Sequence, residues 1–168
     1  VWNVTPKDVM GYEKAVEWNG LIGAFGFIVT FSIAFYLAKL AKKHGAKMIH
    51  FACLLFGAIS FLWFPTIQNQ YVFFAVIIGY GIAWASMMGI PYLMVVAVVP
   101  KERYGVYMGI INMMIVIPMI IQNLSFGYIL KNFLDNDPRQ AISFAGVLLM
   151  LAAICTILIK IKNTKVSE

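Results

Sequence analysis

The sequence predicts an all-α polytopic membrane protein, and three observations support that fold class. Of the 168 residues, 62% are apolar and only 12% are charged, whereas soluble globular domains have roughly 45–50% and about 25%. The apolar residues form runs close to the roughly 20 residues that an α-helix needs to cross the hydrocarbon core of a bilayer. The alternating segments of about ten residues that are typical of membrane β-barrels are absent. We therefore expect the lipid bilayer to surround most of this chain.

Five apolar runs predict five transmembrane helices, at residues 18–38, 48–66, 71–99, 104–130 and 141–159. The third and fourth runs exceed a straight crossing, and each contains a proline near its middle, Pro91 and Pro118. Because proline removes a helical hydrogen bond, we expect both helices to be kinked and tilted. Asp137 followed by Pro138 predicts the start of the fifth helix, since these residues favour the N-cap and the first turn.

The basic residues predict the orientation of these helices. Nine of the 13 lysines and arginines flank the ends of spans one, three and five, and the other four lie at the opposite ends. Because cytoplasmic loops are enriched in lysine and arginine, we predict an extracytoplasmic loop at 1–17 and a cytoplasmic tail at 160–168. His44 and the turn at 101–105 are then cytoplasmic. Asn69 and Asn136 are then outside. The predicted location of the protein is the cell membrane, which in a bacterium is the inner membrane.

The net charge of +6 does not indicate a nucleic-acid partner, because the basic residues do not form one continuous face. The predicted topology explains the charge instead. The odd number of spans, the missing initiator methionine and the outside start favour a C-terminal piece of a longer membrane protein. We therefore expect at least one preceding helix to be missing.

Few residues have the chemistry of an enzyme or a metal site. Cys53 and Cys155 lie inside apolar runs, where a thiol behaves as a small hydrophobic group. His44 and His50 flank a basic segment without carboxylates or thiols at metal-ligand spacing. We predict no enzymatic activity, no metal and no cofactor.

Uncharged polar residues in the fourth span are the main candidates for a substrate path. Asn112, Met119 and Asn123 fall within roughly 20° of one line at about 100° per residue, and Gln122 lies beside them. Polar groups within a membrane face either a partner or a water-filled cavity. This polar stripe either lines a water-filled cavity or hydrogen-bonds neighbouring helices.

The third span has two different faces. One face has small residues that favour close helix packing, Gly79, Ala83 and Ser86. The other has Trp84, Met88, Pro91 and Tyr92, which form either a sugar-stacking platform or a lipid-facing belt, and Tyr92 needs a hydrogen-bond partner. Gly105 and Gly109 in the fourth span are predicted to form a second packing edge.

The segments at 81–86 (GIAWAS), 90–92 (IPY), 105–112 (GVYMGIIN) and 115–118 (IVIP) resemble helices in the C-terminal half of major facilitator superfamily sugar transporters. The similarity is greatest to the sucrose and maltose type proton symporters of the glycoside-pentoside-hexuronide group. The segment at 40–47, with Gly45 and Lys47, resembles the cytoplasmic loop motif of that superfamily, although Lys42 stands at the usual acidic position. A glutamine commonly follows the proline of the fourth-span motif, where this chain has Met119.

The resemblance implies that the five spans are helices 8 to 12 of twelve, with the missing N-terminal half of the same transporter as a partner. Because alternating access needs both bundles, we expect the segment alone to insert but not to transport. The resemblance also implies proton-coupled transport of a sugar or glycoside, such as maltose or sucrose, by alternating access. The polar stripe and the aromatic face then supply the predicted substrate-binding residues, which are Trp84, Tyr92, Asn112, Met119, Gln122 and Asn123. A carrier for another small polar solute, and a non-transporting membrane sensor or assembly subunit, are the alternatives. No carboxylate lies in the middle of a span, so we expect the proton-binding group in the missing part.

Overall fold

The computed structural model describes residues 9–159, which are helical almost throughout and contain no strand. Five long helices follow one another in the order α1 (Val9–His44), α2 (Ala46–Trp63), α3 (Phe73–Val96), α4 (Tyr104–Phe133) and α5 (Pro138–Leu158). Short 3-10 turns at Phe64–Thr66, Gln70–Val72 and Lys101–Arg103 connect them. All five helices are long and apolar enough to cross a membrane. The predicted fold class is therefore confirmed.

The boundaries of α1 differ from the sequence prediction. Residues 9–17, predicted as loop, belong to α1, and residues 40–44, predicted as a cytoplasmic loop, extend the same helix to His44. Its lysines Lys39, Lys42 and Lys43 therefore stand on a helix. The remainder of the predicted loop at 1–17 and the predicted tail at 160–168 lie outside the described residues.

Gly45 alone separates α1 from α2. Its φ of 90° lies in the left-handed region, where a side chain is strained and glycine is favoured. Gly45 is the N-cap of α2, and its amide bonds back to the carbonyl of Ala41 at 3.0 Å. The motif residue Gly45 thus reverses the chain within one position.

α2 and α3 form the centre of the bundle and approach each other closely. A Cβ added to Gly79 would collide with Ser60, and one added to Gly57 would collide with Ala83. Small side chains permit such close packing between membrane helices, where dispersion contacts replace a hydrophobic driving force. The edge predicted from Gly79 and Ala83 lies against α2.

α1 packs on α3 and runs parallel to it. Near one end, Trp18 meets Tyr71 edge to face with ring centroids 5.6 Å apart. Further along both helices, the Thr30 hydroxyl lies 3.3 Å from the carbonyl oxygen of Gly81 and 2.9 Å from that of Gly26. The Gly81 carbonyl gains a second hydrogen bond across the interface in this way.

α5 packs on the opposite side of α2 and runs antiparallel to it. Gly146 lies where an added Cβ would be 3.1 Å from Leu62 Cγ. At the other end of the pair, Lys47 Nζ donates to the carbonyl oxygen of Ile159 at 2.7 Å. A cation at the C-terminal end of a helix satisfies a free carbonyl and complements the helix dipole. The motif residue Lys47 therefore connects the start of α2 to the end of α5.

The link to α5 forms as the sequence predicts. Asp137 is the N-cap and accepts from the backbone N–H of Arg139 at 2.9 Å, and Pro138 is the first helical residue. Asp135 and Asn136 have φ values of 48° and 55°, a conformation that these two residue types tolerate better than most. The predicted start of α5 is confirmed.

α4 stands apart from the other helices and contacts α3 mainly near their connecting turn. Ile111 is its one buried residue. A Cβ added to Gly105 or Gly109 would meet no atom within 4 Å. The expectation that these glycines pack against a helix is therefore not met among residues 9–159, because α4 has no neighbour on that side there.

Candidate functional site

The geometry of the site begins with a hydrogen bond between α3 and α4. The Tyr92 hydroxyl donates to Oδ1 of Asn112 at 2.5 Å. Tyr92 follows Ile90 and Pro91, and Ile90 is only 2% exposed, so the α3 backbone is held in the core at this point. Asn112 follows the buried Ile111. Two residues that were predicted separately as site residues are thus brought into contact.

The rest of the polar stripe extends along α4 beyond the contact with α3. Asn123 and Gln122 are exposed, and Met119 is 52% exposed. Within residues 9–159 the amides of Gln122 and Asn123 have no hydrogen-bond partner. Since α4 rises about 1.5 Å per residue, the stripe from Asn112 to Asn123 is about 16 Å long. Such a row of amides in an otherwise apolar span needs a polar environment.

Pro118 lies inside α4, between Asn112 and Met119 in the sequence, and the helix continues through it. Proline has no N–H to donate, so the carbonyl oxygen four residues earlier, at Met114, loses its usual helical partner. At about 100° per residue, Met114 lies about 160° around the helix from Asn112, so this free acceptor is on the side of α4 away from the stripe. Pro91 has the same effect in α3, one residue before Tyr92.

Trp84 lies two turns before Tyr92 on α3 and belongs to a row of stacked rings. Its ring stacks on Tyr80 with centroids 5.8 Å apart and an angle of 25°, and Tyr80 stacks on Phe61 of α2 at 5.7 Å and 14°. Trp84 is 37% exposed, which leaves part of the indole accessible. The structure does not bring Trp84 into contact with the amides of α4.

A buried polar contact that the sequence analysis missed joins α2 to α3. His50 Nδ1 lies 2.7 Å from the Ser86 hydroxyl, and Ser86 is fully buried. Ser86 also interacts with the Cys53 side chain, one turn from His50. In the sequence, Ser86 falls on the predicted packing edge of the third span, and His50 has no predicted partner. The signal was that both polar side chains lie inside predicted spans, where each needs a partner.

The charged residues are concentrated at the two ends of the helices. Among residues 9–159, one end has six basic residues and one carboxylate, at Lys39, Lys42, Lys43, Lys47, Lys101, Arg103 and Glu102. In the same range, the other end has three basic residues and four carboxylates, at Lys14, Lys131, Arg139, Glu13, Glu17, Asp135 and Asp137. At the basic end, Lys47 joins the start of α2 to the end of α5, and at the other end Trp18 of α1 contacts Tyr71 just before α3.

Five membrane helices with polar residues confined to a few faces define a polytopic integral membrane protein. Comparison with protein families gives a match to the Major Facilitator Superfamily over residues 3–123, which include α1, α2, α3 and most of α4. The chain belongs to this superfamily of membrane transporters. Searches of the curated proteins and of the solved structures found no similar protein. The matched region ends at Asn123, so it includes the whole polar stripe.

Proposed function

We propose that the protein is a secondary active transporter for a sugar or glycoside, with a disaccharide such as maltose or sucrose as substrate. Membership of the superfamily supports transport of a solute across the membrane. The proposal for a sugar depends on one observation, the row of exposed amides on α4 with Tyr92 hydrogen-bonded to Asn112 at one end. The motifs that resemble sugar symporters add support to it.

The chemistry of the stripe suits a ligand with many hydroxyl groups. A side-chain amide offers two donors and an acceptor with two lone pairs, and neighbouring hydroxyls of a sugar both donate and accept. The partly exposed Trp84 indole offers an apolar surface against which the C–H face of a sugar ring can lie. Charged substrates fit less well, since no charged side chain stands in the middle of a described span.

We further propose that protons drive the transport by alternating access, with the site shared between two bundles that rock against each other. No cofactor is needed for this mechanism.

Uptake of radiolabelled maltose and sucrose into membrane vesicles tests the proposal. Vesicles containing the protein should accumulate a labelled disaccharide when an inward proton gradient is imposed, and a protonophore should abolish the accumulation. Vesicles without the protein serve as the control. Accumulation of neither sugar, with or without the gradient, would overturn the proposal, and accumulation that a protonophore leaves unchanged would overturn the proton coupling alone.

A further inference from the structure

The contact between Tyr92 and Asn112 has a direction, because a phenol has one proton and an amide has two chemically different ends. The Tyr92 hydroxyl donates to Oδ1 of Asn112. The Nδ2 end of the amide then points away from Tyr92, and among residues 9–159 it has no protein partner. An amide without such a bond can turn about its last torsion and exchange the two ends, since that torsion is roughly two-fold.

Both members of the pair are attached to backbone that is held in place. Ile90, two residues before Tyr92, and Ile111, next to Asn112, are buried at 2% and 8% exposure. The neighbouring amides have no such restraint, since Gln122 and Asn123 are exposed and have no hydrogen-bond partner among the described residues. Of the amides in the stripe, Asn112 is therefore the one with a defined orientation.

We propose that Tyr92 is a positioning residue that fixes the Asn112 amide, so that Asn112 offers its Nδ2 hydrogens to the substrate. The substrate atom bound there is then a hydrogen-bond acceptor, a hydroxyl or ether oxygen whose own proton is not used. This inference rests on the proposed function and adds to it the role of one oxygen of the sugar.

Binding of maltose and its analogues to the reconstituted protein tests the role of the substrate atom. Among the monodeoxy analogues of maltose, the one that lacks the oxygen bound by Asn112 should bind about tenfold more weakly than maltose, because the desolvated Nδ2 donor is left unpaired. The mono-O-methyl ether at the same position keeps the oxygen and should bind within about threefold of maltose. Asn112→Asp keeps an acceptor for Tyr92 but loses the donor, and should weaken maltose binding by about tenfold or more.

A double-mutant cycle tests whether Tyr92 acts through Asn112. Tyr92→Phe alone should weaken maltose binding by about three- to tenfold. In a protein that already has Asn112→Ala, Tyr92→Phe should have no further effect, because the Tyr92 hydroxyl acts only through the Asn112 amide. Tyr104→Phe is the matched control. The Tyr104 hydroxyl also links α3 to α4, by donating to the Val96 carbonyl oxygen at 3.2 Å, but it does not touch the amide. It should leave maltose binding unchanged.

Each result supports or overturns the inference. Additive effects of Tyr92→Phe and Asn112→Ala, equal weakening by Tyr104→Phe, or loss of binding by every O-methyl ether would overturn it, although the proposed function would stand. Failure of the unsubstituted protein to bind either maltose or sucrose would overturn the proposed function and this inference with it. Membrane yield and a single peak in size-exclusion chromatography verify that each variant is folded.

Discussion

Asn112 and Asn123 lie on one line of α4, but their surroundings differ. Asn112 is hydrogen-bonded to Tyr92 on α3, whereas Asn123 is exposed and has no partner among the described residues. A polar residue in a membrane span either joins helices or faces a polar cavity. Asn112 joins two helices and still has donors free, so the two interpretations are compatible at that position. A substitution of Asn123 therefore tests only the interpretation that the stripe faces a polar cavity.

Asn123→Ala should weaken sugar binding by roughly five- to 150-fold, because the loss of one partner leaves a desolvated group on the ligand. Asn123 is exposed and has no hydrogen-bond partner among the described residues, so the yield of folded protein should stay the same. Asn132→Ala is the matched control on the same helix, since the Asn132 amide donates only to the carbonyl oxygen of Tyr128 one turn earlier. Equilibrium binding of labelled maltose measures both. Normal binding by Asn123→Ala would remove Asn123 from the site.

Met119→Gln should change the preference among sugars more than it changes stability. Met119 is 52% exposed on the stripe, so a glutamine of similar length fits without displacing a neighbour and adds a donor and an acceptor. Competition of labelled maltose by a panel of unlabelled disaccharides measures the preference, and thermal stability in detergent is the control. An unchanged order of competitors, with altered stability, would contradict the role of position 119.

At the residue scale, the sequence reveals which side chains need partners but not always which partners they find. A phenol and an amide in apolar spans must both be satisfied, and so Tyr92 and Asn112 could be selected as site residues. Their contact depends on how α3 and α4 are placed, which no periodicity specifies. The same holds for His50 and Ser86, which lie 36 positions apart and meet only because α2 and α3 pack antiparallel.

At the scale of helices, the interface between α2 and α3 is the tightest part of the bundle. Ala83 is 1% exposed, and its Cβ occupies the space beside Gly57. Interfaces built from small residues have no room for a larger side chain, since protein interiors are close-packed. The stability of the bundle therefore depends on the small size of these residues.

Ala83→Leu should destabilise the bundle by about 1–3 kcal/mol, the typical cost of overpacking a tight contact. Ala75→Leu, an exposed position on the same helix, is the matched control and should have little effect. The midpoint of thermal unfolding in detergent, followed by circular dichroism, compares the two variants. Equal midpoints for Ala83→Leu and the unsubstituted protein would show that this contact is looser than the structure indicates.

Apolar runs predict where a helix exists better than where it ends. The five spans were predictable because lipid requires long apolar segments. The full length of α1 was not, because a helix does not end where the apolar residues end, and Lys39, Lys42 and Lys43 continue it as good helix formers. Gly45 was part of a recognised motif, but its backbone conformation follows only from the sharp reversal between α1 and α2.

At the scale of the whole molecule, the helices alternate in direction and separate the charges into two ends. The end with Lys39 to Lys47 is strongly basic, and the end with Glu13, Glu17, Asp135 and Asp137 is slightly acidic. This asymmetry was predictable because the lysines and arginines cluster between the apolar runs. The small number of neighbours around α4 among the described residues was not, since amphipathic patterns do not record how many neighbours a helix has in a bilayer.

Cysteine labelling tests the orientation. In a variant that lacks Cys53 and Cys155, a single cysteine at Gln68 or Asn136 should react with a membrane-impermeant maleimide in intact cells, because the basic end stays in the cytoplasm. A cysteine at His44 or Glu102 should react only after the cells are opened. Labelling of position 44 in intact cells would reverse the orientation.

α4 contacts α3 near one of its ends, and the rest of the helix extends beyond that contact. Its contacts with α3 lie close to the turn at Lys101–Arg103, and Asn123 lies about 16 Å beyond Asn112. A swing of about 10° around Asn112 would carry Asn123 through about 3 Å, the length of a hydrogen bond. The same small tilt would therefore leave Asn112 in place and move Asn123 far enough to make or break a contact.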